Sequence, residues 1–138
     1  LYSTKPVLLI EDDEIDQMSV QRAFNELNII NELIVRDNGE EALKYIKEVE
    51  RPALIILDLN MPRMNGIEFL EIIRKDKLYR NIPVIVFTTS SRTEDKMKAF
   101  DKCIVGYIVK PTDYKKIVDI FRSIEHYWTI SEGPSVAS

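Results

Sequence analysis

Three unbroken apolar runs constrain this chain most: Val7-Leu8-Leu9-Ile10, Ala53-Leu54-Ile55-Ile56-Leu57 and Val84-Ile85-Val86-Phe87. Successive side chains of a strand point to opposite faces, so a strand with one wet face alternates apolar and polar residues. A strand covered on both faces has no reason to alternate. The three runs are therefore read as central strands of a parallel sheet clad with helices on both sides. Two shorter β-rich runs, Leu33-Ile34-Val35 and Tyr107-Ile108-Val109, bring the strand number to five and are assigned to flanking positions.

Helical periodicity fills the intervals. Val20, Ala23, Phe24 and Leu27 keep an i, i+3, i+4, i+7 spacing, and Ala42, Leu43 and Ile46 follow Asn38 with Glu41 three residues on. Weaker patterns run from Ile67 to Ile73 and from Thr93 to Phe100, and Ile117, Ile120, Phe121, Ile124 and Trp128 mark a final helix. Strand and helix thus alternate five times, which calls for right-handed crossovers and a doubly wound α/β domain. With 138 residues, one such domain is expected over 1–130, followed by a mobile tail over 131–138 rich in Gly, Pro and Ser.

Composition narrows the function classes. No apolar stretch is long enough to span a bilayer and no basic-then-apolar leader opens the chain, so a cytoplasmic location is expected. The net charge of −4 disfavours nucleic acid, whose binding draws on clustered Lys and Arg. Cys103, the sole cysteine, excludes an intrachain disulfide or a Cys-rich metal site and is expected to be a small buried apolar residue.

Open parallel sheets bind ligands beyond the carboxyl ends of their strands. Here the first run ends in Glu11-Asp12-Asp13, the third in Asp58, the fourth in Thr88-Thr89 and the fifth in Lys110-Pro111. Singly, each has a plain structural role: the acids cap a helix, Asp58 sits in a turn, Thr88 ends a strand and Lys110 is a solvated cation. Together they place acids, a hydroxyl and an ammonium on one edge. Packed carboxylates repel unless a cation or proton lies between them, and an all-oxygen set without His or Cys suits Mg²⁺. Such an ion favours phosphoryl transfer to a carboxylate, with Lys110 and Thr88 able to meet phosphoryl oxygens.

The strings VLLIEDDE, LIILDLNMPRMNGIEFL, PVIVFTTS and GYIVKP resemble the receiver domains of bacterial two-component response regulators, with a match running from Pro6 to about Trp128. The resemblance implies a flavodoxin-like sheet of order 2-1-3-4-5. It makes Asp58 the phosphoacceptor, Glu11 and Asp12 the acidic pair with Asp12 the more direct Mg²⁺ ligand, and Asn60 the position whose backbone carbonyl completes the metal sphere. Thr88 and Lys110 match the groups that contact the phosphoryl, and Tyr107 matches the aromatic that moves with Thr88 on activation. The Lys110–Pro111 bond is implied to be cis. Glu11 stands where many members have Asp, and Thr112 where Phe is frequent.

The resemblance further implies a phosphoacceptor switch rather than an enzyme with a separate substrate. It catalyses its own phosphorylation from a sensor histidine kinase or phosphotransfer protein, and its own slow dephosphorylation. The stretch from Lys77 to Ile82, the TTSS run and the ending IEHYW look like the stand-alone regulators paired with phytochrome-type kinases. Only a short tail follows the last helix, so output is expected through the surface from Thr93 to Tyr127, toward an unidentified partner or a second copy as a homodimer. Tyr127 and Trp128 are read either as part of that contact or as helix packing, and His126 as solvent-facing. Two alternatives stand beside this reading. A haloacid dehalogenase-like phosphatase would use Asp58 as nucleophile but needs an acid where Asn60 stands. A phosphorylation-independent binding module would keep the fold without needing the acid, Thr and Lys set.

Overall fold

The computed structural model describes residues 3–131. Five strands and five helices alternate: β1 Val7–Ile10, α1 Glu14–Glu26, β2 Leu33–Arg36, α2 Gly39–Glu48, β3 Leu54–Leu57, α3 Gly66–Lys75, β4 Val84–Thr88, α4 Thr93–Asp101, β5 Gly106–Val109 and α5 Tyr114–Ile130. All strand pairs are parallel, in the order β2-β1-β3-β4-β5. The doubly wound fold expected from the alternation is the fold observed, and the three continuous runs are its three inner strands.

Those runs feed two separate cores. Leu8, Ile10, Ile55, Leu57, Val84 and Val86 point to one face and pack with Ala42, Ile46, Phe69, Leu70 and Ile73 from α2 and α3. The residues between them, Val7, Leu9, Leu54, Ile56, Ile85 and Phe87, point to the other and meet Val20, Phe24, Ile117, Phe121 and Trp128 from α1 and α5. Phe121 sits edge-on to both Phe24 and Phe87, with ring centroids 5.6 and 5.5 Å apart, locking α1 to α5 across the sheet face. The edge strands β2 and β5 contain no fully buried residue, in keeping with their flanking place.

Helix starts follow from capping chemistry. Asp13, Asn38, Asn65 and Asp113 each accept a hydrogen bond from a first-turn backbone N–H through the side chain. Asn65 and Glu68 form a reciprocal capping box, which makes α3 a longer and better-defined helix than its apolar spacing indicates. By contrast α4 has Arg92 as its N-cap, with no side-chain cap bond, and buries only Ala99. It is the least anchored of the five helices.

Three expectations are corrected. Cys103 is exposed, because it occupies the tight turn after α4 with φ 58° rather than a core position. Ala53 precedes β3, although its N–H already donates to the Pro6 carbonyl at 2.8 Å. Among the described residues every peptide bond is trans, Lys110–Pro111 included, the form favoured for X–Pro by about 0.5–1 kcal/mol. Residues 132–138, on which the expectation of a mobile tail rests, lie outside the described part; Ser131 closes α5 as its C-cap. Among the described residues no helix is long and apolar enough to cross a membrane.

Candidate functional site

The carboxyl ends of β1, β3, β4 and β5 deliver the residues singled out in the sequence to one cleft. At the end of β1, the Glu11 N–H donates to the Arg36 carbonyl at 3.0 Å, continuing the sheet ladder by one residue and turning the side chain inward, where it is 2% exposed. Asp12 is exposed at the mouth of the cleft. Asp13 is the N-cap of α1, so for this residue the plain structural reading holds. Asp58 follows β3, its N–H donating to the Ile10 carbonyl at 3.0 Å, and is 6% exposed. Thr88 ends β4 fully buried, and the Lys110 N–H beyond β5 donates to its carbonyl at 2.7 Å.

Carboxylate oxygens of Glu11, Asp12 and Asp58 all lie within 4.8 Å of one another. Lys110 reaches into the same space, with Nζ 2.5 Å from Glu11 Oε1 and 3.5 Å from Asp58 Oδ2. Burial pushes the Glu11 carboxyl up to about 7, against the hydrogen bond from Lys110, and the nearby Asp58 charge raises it further. Hydrogen bonds from Lys110 to Asp16 and Glu11 raise the ammonium above its usual range despite the opposing effect of burial. Three carboxylates this close together repel one another, and a hard cation between them relieves that repulsion. The all-oxygen donor set therefore fits a divalent metal. Both Glu11 oxygens already accept a hydrogen bond, Oε1 from Lys110 and Oε2 from the Asp13 N–H at 3.1 Å. Asp12 and Asp58 hold the less committed oxygens.

Asn60 is exposed and its N–H donates to Asp58 Oδ1 at 3.3 Å, the one direct tie between them. Ser90 links Thr88 to Tyr107. Its N–H lies 3.4 Å from Thr88 Oγ1 as a weak donor, and its carbonyl accepts from the Tyr107 hydroxyl at 2.8 Å. Burial raises the Tyr107 phenol above its usual range, so the group remains a donor, and its ring stacks on Phe100 of α4 with centroids 6.5 Å apart. The Ser90 hydroxyl continues the chain to Asp95 in the first turn of α4.

Sequence reasoning missed two residues and the linking role of a third. Asp16 Oδ2 is 2.7 Å from Lys110 Nζ. Gln17 Nε2 donates to the Glu11 carbonyl at 2.6 Å and to Asp37 Oδ1 at 2.9 Å, fixing the backbone beneath the acidic cluster. Ser90 is the third. Asp16 lies in a first helical turn, where an acid ordinarily answers the helix dipole, so its residue type carried no distinguishing signal. At the other end of the molecule Trp128 is buried, while His126 and Tyr127 are exposed. Packing thus claims the tryptophan and leaves the tyrosine on the surface.

Comparison with known proteins identifies the family. The response regulator receiver domain family matches residues 7–122. The probable methanogenesis regulatory protein FilR2 of Methanothrix harundinacea is 31% identical over 94% of this chain and 88% of its own length. The response regulator Rcp1 of Synechocystis is 32% identical over 90% of this chain and 88% of its own length. Its Mn²⁺-bound crystal structure superposes with a TM-score of 0.87 at 29% identity, covering 96% of this chain and 100% of that one. The phosphorylated cyanobacterial phytochrome response regulator RcpA superposes with a TM-score of 0.89 at 31% identity, again covering 96% and 100%. With the family match spanning most of the sequence and an acidic cleft standing where the strand order reverses, the chain belongs to the receiver domains of two-component response regulators.

Proposed function

We propose that Asp58 accepts a phosphoryl group from a phosphohistidine, in a Mg²⁺-dependent reaction, and that the chain signals through its own surface. The observation that carries this reading is the setting of Asp58: a nearly buried carboxylate at the end of the central strand, with an ammonium on one side and two acids on the other. In the transfer, an Asp58 oxygen attacks phosphorus while the bond from phosphorus to the imidazole nitrogen breaks, its electron pair staying on the ring. The product is an acyl phosphate, which water later hydrolyses back to the carboxylate.

Each neighbour has a role that its position supports. Lys110 meets the charge on a phosphoryl oxygen, and the Thr88 hydroxyl donates to another. Asp12, Asp58, the Asn60 carbonyl and Glu11, directly or through water, would hold Mg²⁺, which supplies charge neutralisation on the transferring oxygens. The Mn²⁺ bound by the relative Rcp1 and the all-oxygen donors here support the metal. Thr88 engagement would reach α4 by way of Ser90 and Tyr107, altering the surface between Thr93 and Tyr127. That surface exposes Met97, Phe100, Val105 and Tyr127, and would be read by an output partner or by a second copy of the chain.

The donor in this proposal is a cytoplasmic sensor histidine kinase or phosphotransfer protein. The likeness to RcpA, a phytochrome response regulator, supports a phytochrome-type light sensor as that kinase. The test is intact mass after incubation with acetyl phosphate and Mg²⁺. A single phosphoryl adduct is expected on the wild type and none on Asp58→Asn. An adduct that persists in Asp58→Asn sinks the assignment.

A further inference from the structure

Lys110 is shared among three carboxylates, and the acidic cluster accounts for only two of them. Nζ lies 2.5 Å from Glu11 Oε1, 2.7 Å from Asp16 Oδ2 and 3.5 Å from Asp58 Oδ2. The first two are close charge-assisted contacts, whereas the third is at the limit of a hydrogen bond. The ammonium is therefore drawn toward α1 and away from Asp58. Asp16 is well placed to keep it there. Its own N–H donates to the N-cap Asp13 at 3.1 Å, so the first turn of α1 fixes its backbone, and its side chain is 34% exposed.

We propose that Asp16 is a positioning residue that competes with the phosphoryl group for Lys110 and so sets how tightly a phosphoryl-bearing Asp58 is held. The inference rests on Asp58 being the acceptor. A phosphoryl oxygen can recruit the ammonium only from arrangements in which Asp16 has released it, and apparent affinity falls by the fraction of time that the lysine is available. Because the pair is partly exposed, solvent screens it, and the penalty imposed by Asp16 is about three- to tenfold. Glu11 cannot play this part alone: it is buried within the cluster and travels with it, whereas Asp16 approaches from the rim. Removing Asp16 leaves Lys110 with Glu11 and Asp58, the partners that flank the phosphoryl position.

The test uses beryllofluoride with Mg²⁺ as a phosphoryl mimic, its affinity measured by ¹⁹F NMR. Asp16→Asn is expected to bind about three- to tenfold more tightly than the wild type. Glu14→Gln removes the same charge from the exposed first turn of the same helix and is expected to stay within about twofold. A second readout is the acetylation of Lys110 by acetic anhydride in the ligand-free protein, followed by peptide mass, which is expected to speed up in Asp16→Asn. An unchanged or weaker affinity in Asp16→Asn, an equal tightening in Glu14→Gln, or an unchanged labelling rate overturns the proposal. Absence of beryllofluoride binding by the wild type would instead overturn the phosphoacceptor reading itself.

Discussion

Two Asn-Gly pairs start two helices in the same way, and they separate a structural glycine from a functional one. Asn38 caps α2 by accepting from the Glu41 N–H at 2.9 Å, and Asn65 caps α3 by accepting from the Glu68 N–H at 2.9 Å; Gly39 and Gly66 are the first helical residues. A methyl group on Gly39 would meet the Met64 side chain, 2.8 Å from Sδ and 2.9 Å from Cγ. A methyl group on Gly66 would meet backbone, 2.6 Å from the Asp58 carbonyl oxygen and 2.8 Å from Leu59 Cα. The methionine's Sδ and Cγ swing aside at little cost, and its Cβ, at 3.2 Å, has to give by only a few tenths of an ångström. The backbone of the acceptor residue cannot move without carrying Asp58 with it.

The magnitudes follow from those distances. Replacing Gly by Ala at a compatible helical position stabilises by about 0.4–1 kcal/mol through the unfolded chain, so Gly39→Ala is expected to be neutral to slightly stabilising. At Gly66 the added carbon sits about 0.8 Å inside ordinary van der Waals contact, and overpacking of that kind costs about 1–3 kcal/mol, leaving a net loss of about 1–2 kcal/mol. A displacement of that size at Asp58 is close to the ~1 Å that lowers a positioned reaction by about a hundredfold. Guanidinium denaturation and the rate of adduct formation from acetyl phosphate measure the two effects. Gly66→Ala is expected to lose more in rate than its stability loss accounts for, with Gly39→Ala unchanged in both. Equal behaviour of the two variants would refute the argument that close backbone approach at Asp58 is what requires glycine.

Other perturbations address the electrostatics and the scaffold. In metal-free buffer the Glu11 carboxyl is raised from 4.5 to about 7, so the folded state holds a proton that the unfolded state has released. The wild type should therefore lose stability relative to Glu11→Gln as pH rises from about 5 to about 8, by at most about 3 kcal/mol; a difference that is flat across this range in chemical denaturation would contradict the assignment. Millimolar Mg²⁺ should raise the thermal midpoint of the wild type and not of Asp12→Asn, since only a ligand of the native state does so. Arg74 donates to the carbonyls of Arg80, Ile82, Lys102 and Cys103, clasping the loops after α3 and α4. Arg74→Met should cost about 2 kcal/mol in denaturation while leaving the rate of Asp58 phosphorylation intact.

The fold was legible because its inner strands obey a rule that composition alone enforces. Val7 to Ile10, Leu54 to Leu57 and Val84 to Phe87 must be apolar at every position when each face has its own core, the condition of a parallel sheet clad with helices on both sides. The candidate site was legible at Glu11, Asp58, Thr88 and Lys110 for a topological reason: residues that end parallel strands share an edge whatever their distance in sequence. What escaped was decided by side-chain reach. Asp16 and Gln17, and the link that Ser90 makes to Tyr107, act through contacts to residues on other elements, and these residue types are equally suited to a helix turn or a loop. Cys103 misled for a related reason, because a turn's need for a left-handed residue overrode the usual burial of a lone cysteine.

Where a signal at Asp58 would travel follows from how unevenly the helices are held. On one face α1 and α5 interlock through Phe24, Phe87 and Phe121, and on the other α2 and α3 bury Tyr45, Ile46, Phe69, Leu70 and Ile73. A rearrangement worth a few kcal/mol cannot unseat such layers, since opening them exposes several large side chains at about 1.5–3 kcal/mol each. Helix α4 buries Ala99 alone and has no side-chain cap, yet it is linked to Thr88 through Ser90, by the Tyr107 hydroxyl and the Asp95 carboxylate. Its arrangement is therefore the one that a changed contact at Thr88 can afford to alter. Ser90→Ala keeps the backbone carbonyl that holds Tyr107 and deletes the hydroxyl that bonds Asp95 and accepts from the Arg92 N–H, both at the start of α4. Hydrogen exchange in the first turn of α4 should then quicken in the unphosphorylated protein, with β4 protection unchanged. Equal loss of protection in α4 and in the well-packed α3 would show instead that the two move as one unit, and that uneven anchoring does not direct the signal.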